Sequence, residues 1–172
     1  YPLLFCRVCG QEYYTVRLVE NSRLLPNSPL PFQPANGEPE DSEPGYVFVD
    51  PENRWQPGPD TLPEHWYDKN GRMKREYKGY QPRRIYVRPD GVLVGDNDPE
   101  GLGCWFLPNP FMLCLNCGEA YTRRDTNDWR KLASLSSEGR STATTLLTLA
   151  IVGMMRRSDL EASAQKVLSF TD

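Results

Sequence analysis

The chain has 172 residues, 38% of them hydrophobic, with 16 prolines and 13 glycines, which suits one folded, loop-rich domain or a domain with a further piece. A net charge of −3 gives no overall support for nucleic-acid binding. Five cysteines, four of them in closely spaced pairs, indicate a reducing compartment, and we therefore expect a cytoplasmic protein.

The ends of the chain and one apolar run indicate whether the chain is part of a larger protein and whether it crosses a membrane. The sequence begins at Tyr1 without an initiator methionine and stops at Asp172 within an apolar run, so we expect a piece of a larger protein. The apolar run 146–155 is too short to cross a bilayer and is typical of a buried helix. We therefore expect no membrane partner.

Residues 1–20 predict a metal-binding hairpin. Cys6 and Cys9 form a C-x2-C pair followed by Gly10, and apolar residues precede the pair. A β-rich return strand is expected from Tyr13, Tyr14, Val16, Leu18 and Val19. Residues 21–45, rich in proline, asparagine, serine and glutamate without periodicity, predict a loop.

The middle of the chain predicts short strands joined by long connections. Residues 46–49 are expected to form a strand, whereas residues 51–82 are proline-, aromatic- and charge-rich, with turns at Pro57-Gly58 and Asn70-Gly71. Residues 84–88 and 92–94 flank a glycine-containing turn and predict a hairpin. Residues 101–113 are apolar and interrupted by proline, and they lead to a second cysteine pair.

The second pair, Cys114 and Cys117 with Gly118, repeats the pattern of the first. Tyr121 follows Cys117 by four residues, just as Tyr13 follows Cys9 by four. Each segment therefore has an apolar lead-in, a C-x2-C-G sequence, an acidic residue and an aromatic return. We call these two segments the first and second knuckle, and we interpret them as related halves of one site.

The two knuckles together supply four thiolate ligands, the usual set of a closed tetrahedral zinc site. Two intervening residues let both sulfurs of a pair turn toward one ion, and the glycine permits a positive φ. We predict structural zinc bound by Cys6, Cys9, Cys114 and Cys117. Disulfides, free thiols and an iron site with the same ligands are the alternatives.

The sequence changes character after residue 124. The apolar face of a long helix, ending near Arg157, is predicted by the i, i+3, i+4 spacing of Ala143, Leu146, Leu147, Ala150, Ile151 and Met154. Residues 167–170 predict a buried terminal strand. The expected fold class is therefore α+β. Residues 1–124 would form a zinc-ribbon-like β module with a loop-rich insertion at about 21–110, and residues 125–172 a helix–strand segment.

Basic and aromatic residues alternate between His65 and Arg88, a mixture that suits single-stranded nucleic acid. The candidate nucleic-acid-binding residues are Lys74, Arg75, Arg83, Arg84 and Arg140. The alternative is a solvated surface whose tyrosines cover the zinc site or neighbouring strands. Acidic stretches on either side could also neutralise this segment.

Three further positions have simpler interpretations. His65 is the single histidine, so a catalytic dyad with a second histidine is excluded, and a solvated or packed side chain is expected. Residues 136–142 could hold a phosphate at the start of the helix, but capping by Ser136 or Ser137 is the favoured interpretation. Cys104 is expected to be a small buried residue.

Two stretches of the C-terminal third resemble a known family. They are Ser136-Ser137-Glu138-Gly139-Arg140-Ser141-Thr142-Ala143-Thr144-Thr145 and Lys166-Val167-Leu168-Ser169-Phe170-Thr171-Asp172. These residues are similar to large bacterial superfamily 2 DEAD/DEAH-type helicases of the kind that carries a cysteine-rich, DUF1998-type C-terminal domain. The two knuckles also look like the cysteine insert between the two lobes of that family.

The resemblance implies a zinc insert followed by the start of the second RecA-like lobe of an ATP-dependent DNA helicase. In the family, the Walker A lysine and the DEAH-type box belong to the first lobe, and the arginines that complete the ATP site would lie beyond Asp172. No catalytic residue is therefore expected here. The expected partners are the remaining helicase domains and, through the parent helicase, DNA. A self-standing zinc ribbon that binds nucleic acid or protein is the alternative.

Overall fold

The computed structural model describes residues 1–27, 41–125, 127–134, 140–157 and 161, without the side chains of residue 129 and residues 140–146. Backbone contacts divide the chain into two compact units, Tyr1–Ala133 and Ser134–Asp172. An α+β fold is confirmed: an open antiparallel sheet dominates, with one α-helix in the described part.

Among the described residues, eight strands form the sheet: β1 Leu3–Cys6, β2 Glu12–Val19, β3 Arg23–Pro26, β4 Ser42–Val49, β5 Arg83–Val87, β6 Leu93–Val94, β7 Leu102–Pro108 and β8 Leu132–Ser134. Their order across the sheet is β6-β5-β7-β4-β2-β1-β8, with β3 also paired to β2. Short 3₁₀ helices span Glu64–Trp66, Arg75–Tyr80 and Asp128–Arg130. The central strands β4 and β7 therefore join the β1–β2 hairpin to the β5–β6 hairpin.

Both faces of the sheet carry buried side chains, which fits the nearly continuous apolar sequence of β7. In β7, Trp105 and Leu107 face one cluster, whereas Cys104 and Phe106 face the other. In β4, Tyr46 and Val47 divide in the same way. This alternation follows from the two-residue period of a strand.

The proline-rich connection between β4 and β5 packs onto the larger, aromatic cluster. Asp50 fixes its start, since the buried carboxylate accepts hydrogen bonds from the backbone N–H groups of Arg54 and Trp55 at 3.0 Å each. It also accepts one from Trp105 Nε1 at 3.2 Å. The Trp55 ring then packs edge-on against Trp105, with 4.7 Å between centroids. The Asp50 carboxylate and the packing of these two rings thus anchor the start of a segment of low secondary-structure propensity.

One sequence prediction is wrong in the sheet, and one central strand was not predicted. Residues 21–45 were predicted as a loop, but β3 and the first half of β4 lie there, paired on either side of β2. Residues 101–113 were assigned no strand, but β7 is central. In β3 and the first half of β4, pairing with β2 fixes an extended backbone that local sequence does not favour. At Gly45 the chains approach so closely that a Cβ would lie 2.5 Å from the Phe106 ring.

In the second unit, helix α1 spans Arg140–Arg156, within the stretch predicted to be helical. Leu147, Ile151 and Met154 of its predicted apolar face are exposed. The predicted strand 167–170 and the capping residues 136–137 lie outside the described residues. In the part of the chain that the structure describes, the helix is neither long nor apolar enough to cross a membrane.

Candidate metal centre

The first knuckle is a tight turn between β1 and β2. The Cys6 N–H donates to Gln11 O at 2.9 Å, and the Gly10 N–H donates back to Cys6 O at 2.8 Å. Gly10 has φ +77°, a conformation that glycine adopts at little cost. The turn therefore brings the sulfurs of Cys6 and Cys9 close to one another, with glycine providing the reversal.

The second knuckle has the same hydrogen-bond pattern. The Cys114 N–H donates to Glu119 O at 2.8 Å, and the Gly118 N–H donates to Cys114 O at 2.9 Å. Gly118 has φ +74°. A single antiparallel bridge between Leu113 and Ala120 replaces the longer β1–β2 ladder. The two C-x2-C-G segments thus fold as equivalent turns, as expected from their common pattern.

All four knuckle sulfurs come together. The Sγ atoms of Cys6, Cys9, Cys114 and Cys117 lie within 4.8 Å of one another. Cys9 Sγ is 3.7 Å from Cys114 Sγ, and Cys6 Sγ is 4.0 Å from Cys117 Sγ. Metal–sulfur bonds of about 2.3 Å in a tetrahedron place sulfurs about 3.8 Å apart. Because a disulfide needs about 2.05 Å, these distances fit an ion and not a covalent pair.

The four cysteines of the cluster differ in their exposure to solvent. Cys6 and Cys114 are buried, whereas Cys9 and Cys117 are exposed. Cys6 and Cys114, one from each knuckle, are members of the large aromatic core cluster. An ion held here would therefore tie the start of the sheet to the segment that follows β7. The four cysteines could bind a metal ion.

The thiols of the cluster shift one another's pKa values in opposite directions, and the pKa of Cys117 is raised, mainly by burial. The pKa of Cys114 falls to about 4, mainly because the Cys6 thiol donates a hydrogen bond to its sulfur. Burial acts in the opposite direction, and the hydrogen bond from Tyr13 lowers the pKa further. The pKa of Cys6 rises because its thiol donates to Cys114 and is buried. A divalent cation that binds all four sulfurs as thiolates would displace the protons that the cysteines still carry.

Two neighbouring side chains donate to the sulfurs, and sequence reasoning missed both. Tyr13 Oη donates to Cys114 Sγ at 3.3 Å, and Asn116 Nδ2 donates to Cys9 Sγ at 3.5 Å. The pKa of Tyr13 is raised, mainly by burial and also by the negative charge on Cys114, so the hydroxyl keeps its proton. Only the spacing of Tyr13 from Cys9 hinted at a role in the sequence.

A buried polar network beside the second knuckle was also missed. Asp128 accepts hydrogen bonds from Tyr46 Oη at 2.6 Å and from the Phe111 N–H at 2.8 Å. Lys131 Nζ donates to Asp128 Oδ1 at 2.8 Å and to Phe111 O at 2.7 Å. The Lys131 carbonyl accepts from the N–H of Arg7, inside the first knuckle, at 3.0 Å. The network therefore links the segment around Asp128 and Lys131, which follows the second knuckle, to the first knuckle.

The candidate nucleic-acid-binding residues occupy several environments. Lys74 and Arg75 are exposed at the start of the Arg75–Tyr80 helix, where Lys74 Nζ donates to His65 O at 2.8 Å. Arg83 forms an ion pair with Glu43 and lies over the Phe106 ring. Arg140 begins α1 in the second unit, and its side chain lies outside the described part.

Arg84 is half-buried and makes several contacts within the protein. Its Nη2 donates to Asp50 O at 2.8 Å, and Nη1 is 3.8 Å from Asp50 Oδ2. The guanidinium also lies over the rings of Trp105 and Tyr86. Acidic groups therefore offset the charges of Arg83 and Arg84, as the flanking acidic stretches had suggested.

The remaining predicted positions are packed. His65 lies edge-on against Tyr77, with 5.4 Å between ring centroids. Cys104 is 2% exposed, as predicted for a small buried residue, and burial raises its pKa to about 11. Cys104 faces the smaller cluster of the sheet, so it is separate from the four knuckle cysteines. Comparison with protein-family models, curated proteins and solved structures finds no match.

Proposed function

We propose that the knuckle-bearing unit is a zinc-ribbon-like structural module that binds one zinc ion through Cys6, Cys9, Cys114 and Cys117. The observation that carries the proposal is the single cluster of four sulfurs donated by two equivalent turns. Four thiolates complete a tetrahedral shell and leave no position for a substrate, which favours a structural over a catalytic ion. Zinc is preferred over iron because this closed set is its commonest structural site.

The wider proposal is that this module is an accessory part of an ATP-dependent DNA helicase in the cytoplasm. It is supported by the resemblance of residues 136–145 and 166–172, together with the knuckles, to the cysteine insert and second lobe of superfamily 2 helicases. In this proposal the module positions DNA or a partner beside the motor and hydrolyses no ATP itself. The parent protein supplies the ATP-binding residues.

Metal analysis of the purified protein tests the zinc site. We expect one zinc per wild-type chain and loss of the metal in Cys9→Ser, whose exposed side chain means that the substitution removes no buried packing besides the metal. Cys104→Ser is the matched control, since it also removes one thiol but lies outside the cluster. Protein that contains iron, or zinc that persists in Cys9→Ser, would contradict the proposal.

The helicase context has a separate test. The coding sequence around this chain is expected to contain a Walker A lysine and a DEAH-type box upstream, and the arginines of the second lobe downstream. A gene without helicase motifs on either side would contradict this part while leaving the zinc site standing.

A self-standing zinc ribbon that binds single-stranded nucleic acid or protein is the second candidate. The exposure of Lys74 and Arg75 favours an anionic ligand such as nucleic acid.

A further inference from the structure

The Tyr13 hydroxyl connects the two knuckles. Tyr13 lies on β2, the strand that leaves the first knuckle, yet its Oη contacts the second. It donates to Cys114 Sγ at 3.3 Å and accepts from the Leu115 N–H at 2.8 Å. One hydroxyl therefore contacts both a candidate ligand and the backbone that follows it.

Packing fixes the hydroxyl in this position. The Tyr13 side chain is completely buried, and its ring lies edge-on to Phe111 at 4.9 Å and tilted against Phe48 at 5.8 Å. On the backbone, Tyr13 pairs with Leu4 of β1, the strand that leads to Cys6. Because aromatic neighbours surround the ring, it has little rotational freedom. The geometry of the hydrogen bond is thus set before any ion arrives.

The second knuckle has a tyrosine at the same spacing, but that residue behaves differently. Tyr121 is half-buried, its ring lies 6.2 Å from Phe111, and Lys131 Nζ lies 5.1 Å from its centroid. Within the described residues, its hydroxyl donates to no cysteine sulfur. The sequence repeat therefore does not extend to the hydrogen bonds, and Tyr13 has a role that its counterpart lacks.

We propose that Tyr13 is a positioning residue of the metal centre, which raises affinity for the ion by donating a hydrogen bond to the Cys114 sulfur. The inference rests on the proposed zinc site. Zinc with four thiolates is doubly negative, and such charge in a buried position needs donors. Groups that hydrogen-bond to metal ligands typically account for about 10–100-fold in affinity. The same hydroxyl also holds Leu115, so it fixes the turn that presents Cys114 and Cys117.

Competition with a chromophoric chelator in wild type, Tyr13→Phe and Tyr121→Phe provides the test. We expect Tyr13→Phe to lower zinc affinity about 10-fold or more, and Tyr121→Phe to stay close to wild type. In the cobalt-substituted proteins, the sulfur-to-metal charge-transfer band should move to lower energy in Tyr13→Phe alone. A sulfur that loses a hydrogen bond is a stronger electron donor, whereas a general loss of packing would not shift this band.

A folded Tyr13→Phe protein with wild-type affinity and an unshifted band would overturn the inference while leaving the zinc site intact. Failure of the wild-type chain to bind zinc would instead overturn the proposed function. If Tyr13→Phe does not fold, the wild-type protein loaded with an NMR-active cadmium isotope decides the matter. A through-bond correlation between cadmium and the Tyr13 hydroxyl proton supports the inference, and its absence overturns it.

Discussion

Lys131 Nζ lies 2.8 Å from Asp128 Oδ1, with only 2% and 3% of the two side chains exposed. Removing one member of a buried ion pair leaves the other charge without compensation, which costs about 3–5 kcal/mol. We expect Lys131→Met to lower the free energy of unfolding by this amount, as measured by urea denaturation.

The exposed ion pair Arg123–Glu76 provides the control for that experiment. Its nitrogen and oxygen are 3.4 Å apart, but about half of each side chain is exposed. Arg123→Met should therefore cost less than about 1 kcal/mol. Equal losses in Lys131→Met and Arg123→Met would show that the buried network does not stabilise the fold as its geometry implies.

Asp50 should make the protein less stable in acid. Burial acts to raise the pKa of its carboxyl, but hydrogen bonds from Arg54, Trp55 and Trp105, with the charge of Arg84, outweigh that effect and lower the pKa. The unfolded pKa is about 3.9. The stabilisation is therefore complete above that value and is lost as the pH falls through the lower folded pKa.

Urea unfolding followed by tryptophan fluorescence measures this effect, since Trp55 and Trp105 both contact Asp50. At pH 7, Asp50→Asn should lower the free energy of unfolding by about 1–3 kcal/mol. The difference from wild type should shrink below pH 4. Asp96→Asn, a matched change at an exposed position, should leave stability and its pH dependence unaltered. If the free energies of unfolding of wild type and Asp50→Asn differ by the same amount across the pH range, the lowered pKa of Asp50 is contradicted.

Metal removal should destabilise the unit Tyr1–Ala133 more than helix α1. The ion would cross-link residues 105 to 111 positions apart in the chain. Loop closure of this size is worth about 4–5 kcal/mol in the chain-entropy treatment of cross-links. A strong chelator should lower the melting temperature of the unit by about 10–20 °C.

Circular dichroism and tryptophan fluorescence, recorded together during the melt, separate the two units. Fluorescence should change with the β-rich unit, whereas part of the helical signal should survive chelation. Returning zinc should restore both signals. Identical melts with and without the chelator would contradict a structural role for the metal.

Nucleic-acid binding, where it occurs, should depend on Lys74 and Arg75 more than on Arg83 and Arg84. The second pair already contacts Glu43 and Asp50, so phosphate would have to compete with charges inside the protein. We expect the double variant Lys74→Ala/Arg75→Ala to weaken binding to a labelled single strand at low salt, and to reduce its salt dependence.

Fluorescence anisotropy with the wild type, this double variant and Arg83→Ala/Arg84→Ala measures the contribution of each pair. If the anisotropy of the labelled strand does not change as wild-type protein is added, the basic segment between His65 and Arg88 does not bind nucleic acid. A larger loss in the Arg83→Ala/Arg84→Ala variant would reverse the assignment, provided that its melting temperature matches that of the wild type.

The sequence predicted features that depend on local turn chemistry. The C-x2-C-G pattern predicted both knuckle turns because positive φ at Gly10 and Gly118 is a local requirement. The β5–β6 hairpin was predicted for the same reason, and Gly91 at its turn has φ +86°. The spacing of the cysteines also predicted that the four sulfurs come together. Each pair supplies only two ligands, and a tetrahedral site needs four.

Features that depend on distant partners could not be predicted in the same way. β3 contains Pro26 and β4 begins at Ser42 with Glu43 and Pro44, and only their pairing with β2 makes these residues extended. Nothing in the sequence distinguishes Lys131 from a lysine on the surface, because its partners Asp128 and Phe111 O come together only in the folded chain. The Tyr13 contact to Cys114 spans 101 residues and has no local signature beyond its spacing.

The order of the two knuckles along the chain has a consequence for biosynthesis. Cys6 and Cys117 are 111 residues apart, so the first pair of thiols leaves the ribosome long before the second exists. At about 5–20 residues per second, the nascent first pair waits about 5–20 s for its complement. During that interval it is a two-sulfur chelate, weaker than the finished site and open to oxidants. Cells short of zinc or under oxidative stress should therefore accumulate misfolded newly made chains while protein made earlier stays intact.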